Sequence, residues 1–398
     1  MRSIALLFSI AFSILANGPG AERRVPKDLS GVRGCNYVAS HATGHPDHWL
    51  RYDPAETERE MDFAVRLKLN QVRVFVPYAP YAADKEALRK NLLHFVRACR
   101  QRGIGVMIVV GYPRPTVAEK VTPPAAAEFA RFLVETLSTE PALAFWDVAN
   151  EPQNKLKTAE EIKVRLDSVR YMASLFHELD KRTPVTVGAA FVGGMEQLAD
   201  CVDVLSFHDY SGTRAAVRAN IERAKQFAAK VHKPVFNTEI GCVGRANPYD
   251  MAIQEHMRAG VGWYIWELMI TRSQWGPIHG VFYGDGTVRD PSIAAAILGF
   301  FRNRGGQILP ENVDQEHRVT RTVDQAKKWL AQNPGAWEDG LNIAETAANL
   351  LEAGQLIAMR EPPSRQVERM RQAQPDLPAL RTVLTSYVEV LDAYLKKR

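Results

Sequence analysis

The chain has 398 residues, a formal net charge of +5 and an apolar fraction of 46%. This length allows one large domain with an appendage or two domains, and the composition excludes a disordered or fibrous protein. The first dense run of basic residues is the terminal Lys396-Lys397-Arg398, so nucleic-acid binding is not predicted. Nothing in the composition indicates an oligomeric state.

The N-terminus has the pattern of an export signal. Met1-Arg2-Ser3 precedes an apolar run from Ile4 to Leu15, and small residues follow as far as Ala21. A basic start, a short apolar core and small residues predict a signal peptide over residues 1–21, and hence a secreted or periplasmic protein. An uncleaved anchor is the weaker alternative, because the run is short for a bilayer. No stable membrane insertion is expected after the signal is removed.

Short apolar runs alternate with longer helical patterns from residue 31 to residue 302. The runs are continuously apolar, as expected for parallel strands whose sheet is covered on its outer face. The predicted strands are residues 31–38, 71–76, 105–110, 142–151, 184–189, 202–207, 234–239 and 262–266. The predicted helices are residues 54–69, 85–102, 124–137, 158–179, 214–231, 249–259 and 291–302, with a short connection at 193–198.

Eight strand–helix units in roughly 270 residues have the count and size of a (β/α)8 TIM barrel, predicted here for residues 29–304. A doubly wound open sheet is the rival fold. It is less favoured because no Gly-rich phosphate turn follows the first strand. Beyond residue 304 only helical patterns occur, at 320–332, 340–355 and 377–397, so residues 305–398 are predicted to form a C-terminal helical extension. No motif there indicates its role.

The four cysteines give little information about the site. Cys35, Cys99, Cys201 and Cys242 are widely spaced and show neither paired metal-ligand spacing nor the framework of a disulfide-rich scaffold. One disulfide in an exported chain and buried free thiols both remain open.

Two predicted strands end in a glutamate. Residues 142–149 are almost wholly apolar and lead into Asn150, Glu151 and Pro152, and the seventh strand ends at Glu239. Active sites of TIM barrels lie at the carboxyl ends of the strands, so the two glutamates are expected to face each other there. Carboxyl groups about 5–5.5 Å apart are what a retaining glycosidase needs.

Other polar residues on these strands complete a known pattern. Arg73 lies inside an apolar strand, and the remaining segments are Ala149-Asn150-Glu151-Pro152, His208-Asp209-Tyr210, Thr238-Glu239, Trp266-Glu267 and His279 to Thr287. This ordered set resembles glycoside hydrolase family 5 and its wider clan A over roughly residues 29–304. The resemblance implies a TIM-barrel glycosidase that needs no cofactor and no metal.

The resemblance implies a role for each matching residue. Glu151 is expected to be the acid/base, with a pKa raised by apolar surroundings and by the charge of Glu239. Glu239 is expected to be the nucleophile, kept ionised by Arg73. The implied substrate-binding residues are Asn150 at the sugar 2-hydroxyl, Tyr210 orienting the nucleophile, His208 beside the acid/base and Trp266 under the reacting sugar.

Simpler interpretations stand beside these roles. Arg73 also fits a barrel-lining ion pair, Trp266 a core residue and His208 a hydrogen-bonded loop residue. Trp263 is expected in the core, and Glu267 is expected to point outward without a catalytic role.

Two stretches depart from the pattern or extend it. The family usually has a histidine after the third strand, where this chain has Gly111-Tyr112-Pro113-Arg114, so sugar contacts on that side are expected to differ. The first loop contains His41, His45, Asp47, His48 and Trp49. Its spacing matches no compact metal site, which favours a sugar-contacting loop with Trp49 as a stacking residue.

The sequence therefore predicts an exported retaining β-glycoside hydrolase acting on a mannan- or glucan-type polysaccharide or oligosaccharide. An exo-acting clan A glycosidase of another family and a catalytically silent carbohydrate-binding barrel are the alternatives. A scaffold that functions through its helical extension is a further one. The sequence does not distinguish endo from exo action.

Overall fold

The structure is a computed structural model that describes residues 23, 25–154, 156–242, 247–276, 278–299 and 301. Its strands are β1 (Arg33–Tyr37), β2 (Gln71–Pro77), β3 (Gly105–Gly111), β4 (Leu143–Asn150), β5 (Val185–Ala189), β6 (Leu205–His208), β7 (Val235–Ile240) and β8 (Gly262–Ile265). Each strand pairs in parallel with the next, and β8 pairs with β1, so the barrel is closed. The predicted (β/α)8 barrel is confirmed.

Helices cover the outside of the barrel. They are α1 (His45–Leu50), α2 (Pro54–Arg66), α3 (Tyr78–Ala83), α4 (Lys85–Gln101), α5 (Pro124–Leu137), α6 (Ala159–Leu179), α7 (Val192–Gln197), α8 (Arg214–Val231), α9 (Tyr249–Ala259) and α10 (Pro291–Ile297). The short helices α1 and α3 were not predicted, because six residues are too few to show a periodic pattern.

Local sequence explains where the longer helices begin. Asp53 and Asp84 accept hydrogen bonds from the first free backbone N–H groups of α2 and α4. Thr158 and Glu161 form a reciprocal capping box at the start of α6. These caps satisfy donors that have no partner inside a helix. The start of α6 is thereby fixed directly behind the end of β4.

Some predictions concern parts of the chain that the structure does not describe. The signal peptide at residues 1–21 and the helical extension at 305–398 both lie outside the described residues. Within the described part, no helix combines the length and the apolar character needed to cross a membrane.

The described cysteines include buried thiols. Cys35 and Cys99 carry free thiols with no solvent exposure, and Cys201 carries a half-buried one. Burial raises the pKa of Cys201 to about 11, so this thiol stays protonated and unreactive near neutral pH. The buried-thiol alternative therefore holds for these residues.

Candidate active site

The carboxyl ends of the strands bring the predicted polar residues to one mouth of the barrel. β2 carries Arg73, β4 ends in Asn150, β6 ends in His208 and β7 carries Glu239, with Glu151 directly after β4. Because all strands are parallel, stretches far apart in sequence end at the same face.

Arg73 is the centre of this mouth and has no solvent exposure. Its Nη1 donates to Asn36 Oδ1 at 2.8 Å and to Glu239 Oε1 at 2.7 Å. Its Nη2 donates to Asn150 Oδ1 at 2.6 Å, and its Nε donates to Asp147 Oδ2 at 2.9 Å. The planar guanidinium can bind several oxygens at fixed angles, as a lysine cannot. Arg73 is thus the counter-charge of Glu239 and also orients Asn150.

Asp147 and Asn36 are site residues that sequence reasoning missed. Asp147 is fully buried, and its Oδ1 accepts the backbone N–H of Gly188 at 2.9 Å. Asn36 donates from Nδ2 to the Thr238 carbonyl at 2.9 Å, which turns its oxygen toward Arg73. A carboxylate inside an apolar strand needs a buried cation, and that requirement was the available signal for Asp147.

Gly188 on β5 lets these charged groups approach the barrel wall. A Cβ there would lie 2.7 Å from Arg73 Nη2, 2.8 Å from His208 Nε2 and 3.0 Å from Asp147 Oδ2. Contacts this short do not occur between real side chains, so a larger residue would push the network apart.

Glu151 is held at the end of β4 by its backbone and its carboxylate. Its φ is +42°, and its backbone N–H donates to the Gly188 carbonyl at 2.7 Å. The left-handed region costs a non-glycine residue about 1–2 kcal/mol. Its Oε1 lies 2.8 Å from His208 Nδ1, and Asn154 donates to Oε2 at 2.6 Å. Asn154 was not predicted as a site residue.

Glu239 lies opposite, close to Glu151. Tyr210 Oη donates to Glu239 Oε2 at 3.0 Å, and His208 Nδ1 is 3.4 Å from the same oxygen. One ligand atom each of Glu151, His208 and Glu239 all lie within 4.8 Å of one another. One oxygen of Glu151 and one of Glu239 therefore approach within 4.8 Å, which is compatible with the roughly 5–5.5 Å carboxyl separation of retaining enzymes.

The protonation of the two glutamates differs from the expectation. Burial acts to raise the pKa of Glu151, but the hydrogen bond and charge of His208 and the hydrogen bond from Asn154 outweigh it. The net result is a pKa of about 2. Burial raises the pKa of Glu239 above its ordinary value, although His208 and Arg73 act against it. The expected order was wrong for this arrangement, because His208 lies closer to Glu151 than to Glu239.

Aromatic rings form one side of the mouth. Trp266 is half-buried, and its ring meets the edges of Phe75 at 5.6 Å and His45 at 6.0 Å between centroids. His45 stacks on Phe75 at 4.1 Å. Burial and the Arg73 charge lower the pKa of His45 to about 4, so His45 is neutral at pH 7. Its Nδ1 is buried without a hydrogen-bond partner.

Trp49 does not belong to this surface. Its side chain is 2% exposed, its Nε1 donates to the Phe75 carbonyl at 2.6 Å, and its ring stacks on Tyr52 at 5.6 Å. The prediction of Trp49 as a sugar-stacking residue is wrong, because α1 turns its ring into the core. His45, from the same loop, faces the site instead.

Glu267 also differs from its predicted orientation. It is 1% exposed, and Thr271 Oγ1 donates to its Oε1 at 3.4 Å. Burial, with a contribution from the Glu239 charge, raises its pKa to about 8. Glu267 therefore points inward and is largely a neutral acid at pH 7. Trp263, at 1% exposed, is in the core as predicted.

The end of β3 differs from the family pattern as the sequence indicated. Tyr112 is buried, and Arg114 donates from Nη2 to the Asn150 carbonyl at 3.0 Å. An arginine thus lies beside the strand end that carries Asn150 and Glu151.

Glu151, His208 and Glu239 also have the chemistry of a metal site. One nitrogen and two carboxylate oxygens within 4.8 Å suit a divalent cation. His208 already bridges the two carboxylates, so a cation would compete with these hydrogen bonds and would occupy the space between the glutamates.

No protein-family model and no curated protein matches this chain. Solved structures do match it. A broad-specificity endoglucanase of glycoside hydrolase family 5 from Clostridium longisporum has a TM-score of 0.58 at 13% identity, covering 70% of this chain and 99% of that one. An enzyme of the same family from Streptomyces cattleya, in complex with GlcNAc, has a TM-score of 0.55 at 17% identity, covering 71% and 83%.

A third similar structure is the exo-β-1,4-mannosidase from Opitutaceae bacterium strain TAV5, with a TM-score of 0.53 at 16% identity, covering 79% of this chain and 71% of that one. Identities this low compare folds rather than activities. The predicted resemblance is confirmed at the level of the fold: the chain shares the (β/α)8 barrel of these glycoside hydrolase structures.

Proposed function

We propose that this protein is a retaining β-glycoside hydrolase that acts on a β-linked polysaccharide or oligosaccharide of the mannan or glucan type. The observation that carries the proposal is the Glu151–Glu239 pair, in which one oxygen of each carboxylate lies within 4.8 Å of the other at the barrel mouth. Double displacement needs two carboxyl groups this close, one to attack the sugar and one to move a proton. The named activities of the similar structures, endoglucanase and mannosidase, support this substrate class.

Glu239 is the proposed nucleophile. Arg73 donates to its Oε1 and Tyr210 to its Oε2, which orients the carboxylate for attack. Arg73 also supplies the positive charge that favours the carboxylate in a fully buried position. Asn150, bound to the same guanidinium, is proposed to donate to the sugar 2-hydroxyl, and Trp266 to lie under the ring.

Glu151 is the proposed acid/base, and His208 determines where its proton lies. An imidazolium beside a carboxylate and a neutral imidazole beside a carboxylic acid contain the same number of protons. Across 2.8 Å the pair can interconvert between these forms by moving one proton. The second form has the proton on Glu151, as donation to a leaving oxygen requires.

The test is isosteric replacement of each glutamate. Glu239→Gln and Glu151→Gln are each expected to reduce hydrolysis of β-linked mannan and glucan oligosaccharides by several orders of magnitude with the fold retained. Glu135→Gln is the matched control, because Glu135 is exposed on α5. Turnover close to wild type in either active-site variant would refute the assignment. Wild-type protein that binds these oligosaccharides without cleaving them would indicate the silent binding barrel.

Export is part of the proposal and rests on residues 1–21 alone. A signal peptide of this pattern is removed during export. Mature protein recovered outside the cytoplasm is expected to begin near residue 22. Recovery of the intact N-terminus from the cytoplasm would contradict export without affecting the proposed chemistry.

A further inference from the structure

Among the described residues, a pair of arginines outside the catalytic centre forms no ion pair with an acidic side chain. Arg114 follows β3, and its Nη2 donates to the Asn150 carbonyl. Arg165 lies on α6 and is half-buried, and its Nε is buried without a hydrogen-bond partner. Within the described part of the chain, no ion pair joins either guanidinium to a carboxylate.

Several other arginines of this protein form ion pairs with carboxylates. Arg97 binds Glu140 at 2.8 Å, and Arg223 binds Glu196 at 2.7 Å. A half-buried guanidinium normally has such a partner, because removing its charge from water is unfavourable. Arg165 lacks one, which leaves donors available for a ligand.

The two guanidinium groups also act on each other. Burial lowers the pKa of Arg165, and the positive charge of Arg114 lowers it further. The acidic residues nearby in sequence are already engaged: Glu160 is 3.7 Å from Lys120, and Glu161 caps α6. The result is a local excess of positive charge.

This excess lies beside the proposed catalytic pair. α6 starts directly after the loop that follows Glu151, so its first turns are at the mouth end of the barrel. Tyr112, two residues before Arg114, contacts Ser168 of α6 through hydroxyl oxygens 3.4 Å apart. Arg165 is one turn before Ser168 and thus on the same side of the mouth. The side on which the family histidine is missing therefore carries two guanidinium groups.

We propose that Arg114 and Arg165 form a subsite for an anionic substituent of the sugar substrate, in the first place the carboxylate of a uronic acid residue. The proposal rests on the proposed glycosidase function and specifies its substrate class. Arginine binds planar oxyanions through two parallel hydrogen bonds, and a second cation adds charge complementarity. A sulfate or phosphate ester presents the same oxygen chemistry and is separated from a carboxylate by the test.

The test measures binding and turnover separately in the full chain. Binding is measured by calorimetry on Glu151→Gln protein, with matched β-linked disaccharides that contain glucuronate or glucose, and with 6-sulfated and 6-phosphorylated analogues. Turnover is measured on wild-type protein with the same set. The variants are Arg165→Gln and Arg114→Gln, and Arg100→Gln is the control because Arg100 is exposed at the far end of α4.

The expected result is that the uronate binds more tightly than the neutral sugar by about tenfold or more, as charge-assisted hydrogen bonds imply. Arg165→Gln is expected to remove this preference with little change for the neutral sugar, and Arg100→Gln to leave it intact. The preference should also weaken as salt is added. A preference only for the sulfated or phosphorylated analogue would reassign the anion but keep the subsite.

Equal binding of all the sugars by Glu151→Gln protein, or a uronate preference that survives when Arg165→Gln or Arg114→Gln is added to it, would overturn the subsite. Binding is independent of turnover, so this failure is separable from that of the proposed function. Loss of neutral-substrate binding in Arg114→Gln alone would show that Arg114 only positions Asn150. The subsite would then be rejected, unless Arg165→Gln removes the preference for the uronate.

Discussion

The interior of the barrel has two layers with opposite chemistry. The lower layer, toward the amino ends of the strands, is an apolar cluster in which Phe145, Phe236 and Tyr264 pack edge to face or tilted at 5.3–5.7 Å. The upper layer contains Arg73 and Asp147, both fully buried, with their ion pair at 2.8 Å. The same strands build both layers.

The change occurs within two residues of one strand. Phe145 and Asp147 are two positions apart on β4 and therefore face the same side, yet one belongs to the apolar cluster and the other to the charged network. Buried apolar area stabilises the lower layer directly. In the upper layer, ion pairs and hydrogen bonds mainly offset desolvation. The upper layer thus contributes orientation and charge, and the lower layer contributes stability.

The largest effect should follow from breaking the upper layer at Arg73. Arg73→Met leaves Asp147 and Glu239 as buried carboxylates without their cation, which costs about 3–5 kcal/mol of unfolding free energy. Loss of preorganised charge at the nucleophile should also lower kcat/KM on the order of a hundredfold to a thousandfold. Urea denaturation and kinetics on one β-linked oligosaccharide measure the two effects.

The paired change in the lower layer is Phe145→Ala. A large-to-small substitution there should cost about 3–5 kcal/mol of unfolding free energy, similar to Arg73→Met. Under conditions where the variant is folded, its kcat/KM should stay near that of wild type. If Phe145→Ala lost activity as strongly as Arg73→Met, the division between a stabilising and a functional layer would be wrong. If Arg73→Met does not fold, Arg73→Lys, which keeps the charge, takes its place in the comparison with Phe145→Ala.

The lower layer and the glutamates could be predicted from sequence, and the network around them only in part. Continuous apolar strands fixed the barrel, and the strand ends at Glu151 and Glu239 fixed the mouth. Asp147 was missed because its partner Arg73 is 74 positions away, and no local pattern joins them. Trp49 was misplaced because a six-residue helix decides which way its ring turns.

The protonation states were the least predictable feature. Whether Glu151 is the more acidic glutamate depends on His208 Nδ1 lying 2.8 Å from it and 3.4 Å from Glu239. Differences of this size are set by packing around Gly188 and not by residue type. Arg165 was overlooked for a related reason: on a helix it has the pattern of an ordinary surface arginine, and only the fold shows that it lacks an acidic partner.

A gradual effect should appear in the pH dependence of stability, through Glu267 at the edge of the upper layer. Its pKa is about 8 in the folded protein, against an ordinary value of 4.5, because burial disfavours the charged form. The folded state therefore binds a proton more tightly than the unfolded state. The stabilisation from this proton is fully present below pH 4.5 and is lost as the pH rises through about 8.

Glu267→Gln keeps the shape and removes the titration. The unfolding free energy of wild type should decline relative to the variant between pH 4.5 and 8, by up to about 1.4 kcal/mol per pH unit. Urea denaturation of both proteins across this range measures the difference, and the exposed Glu135→Gln should run parallel to wild type. Parallel curves for wild type and Glu267→Gln would mean that water reaches this carboxyl. In that case the upper layer would tolerate a charge without a cation, whereas the Arg73 network indicates that it does not.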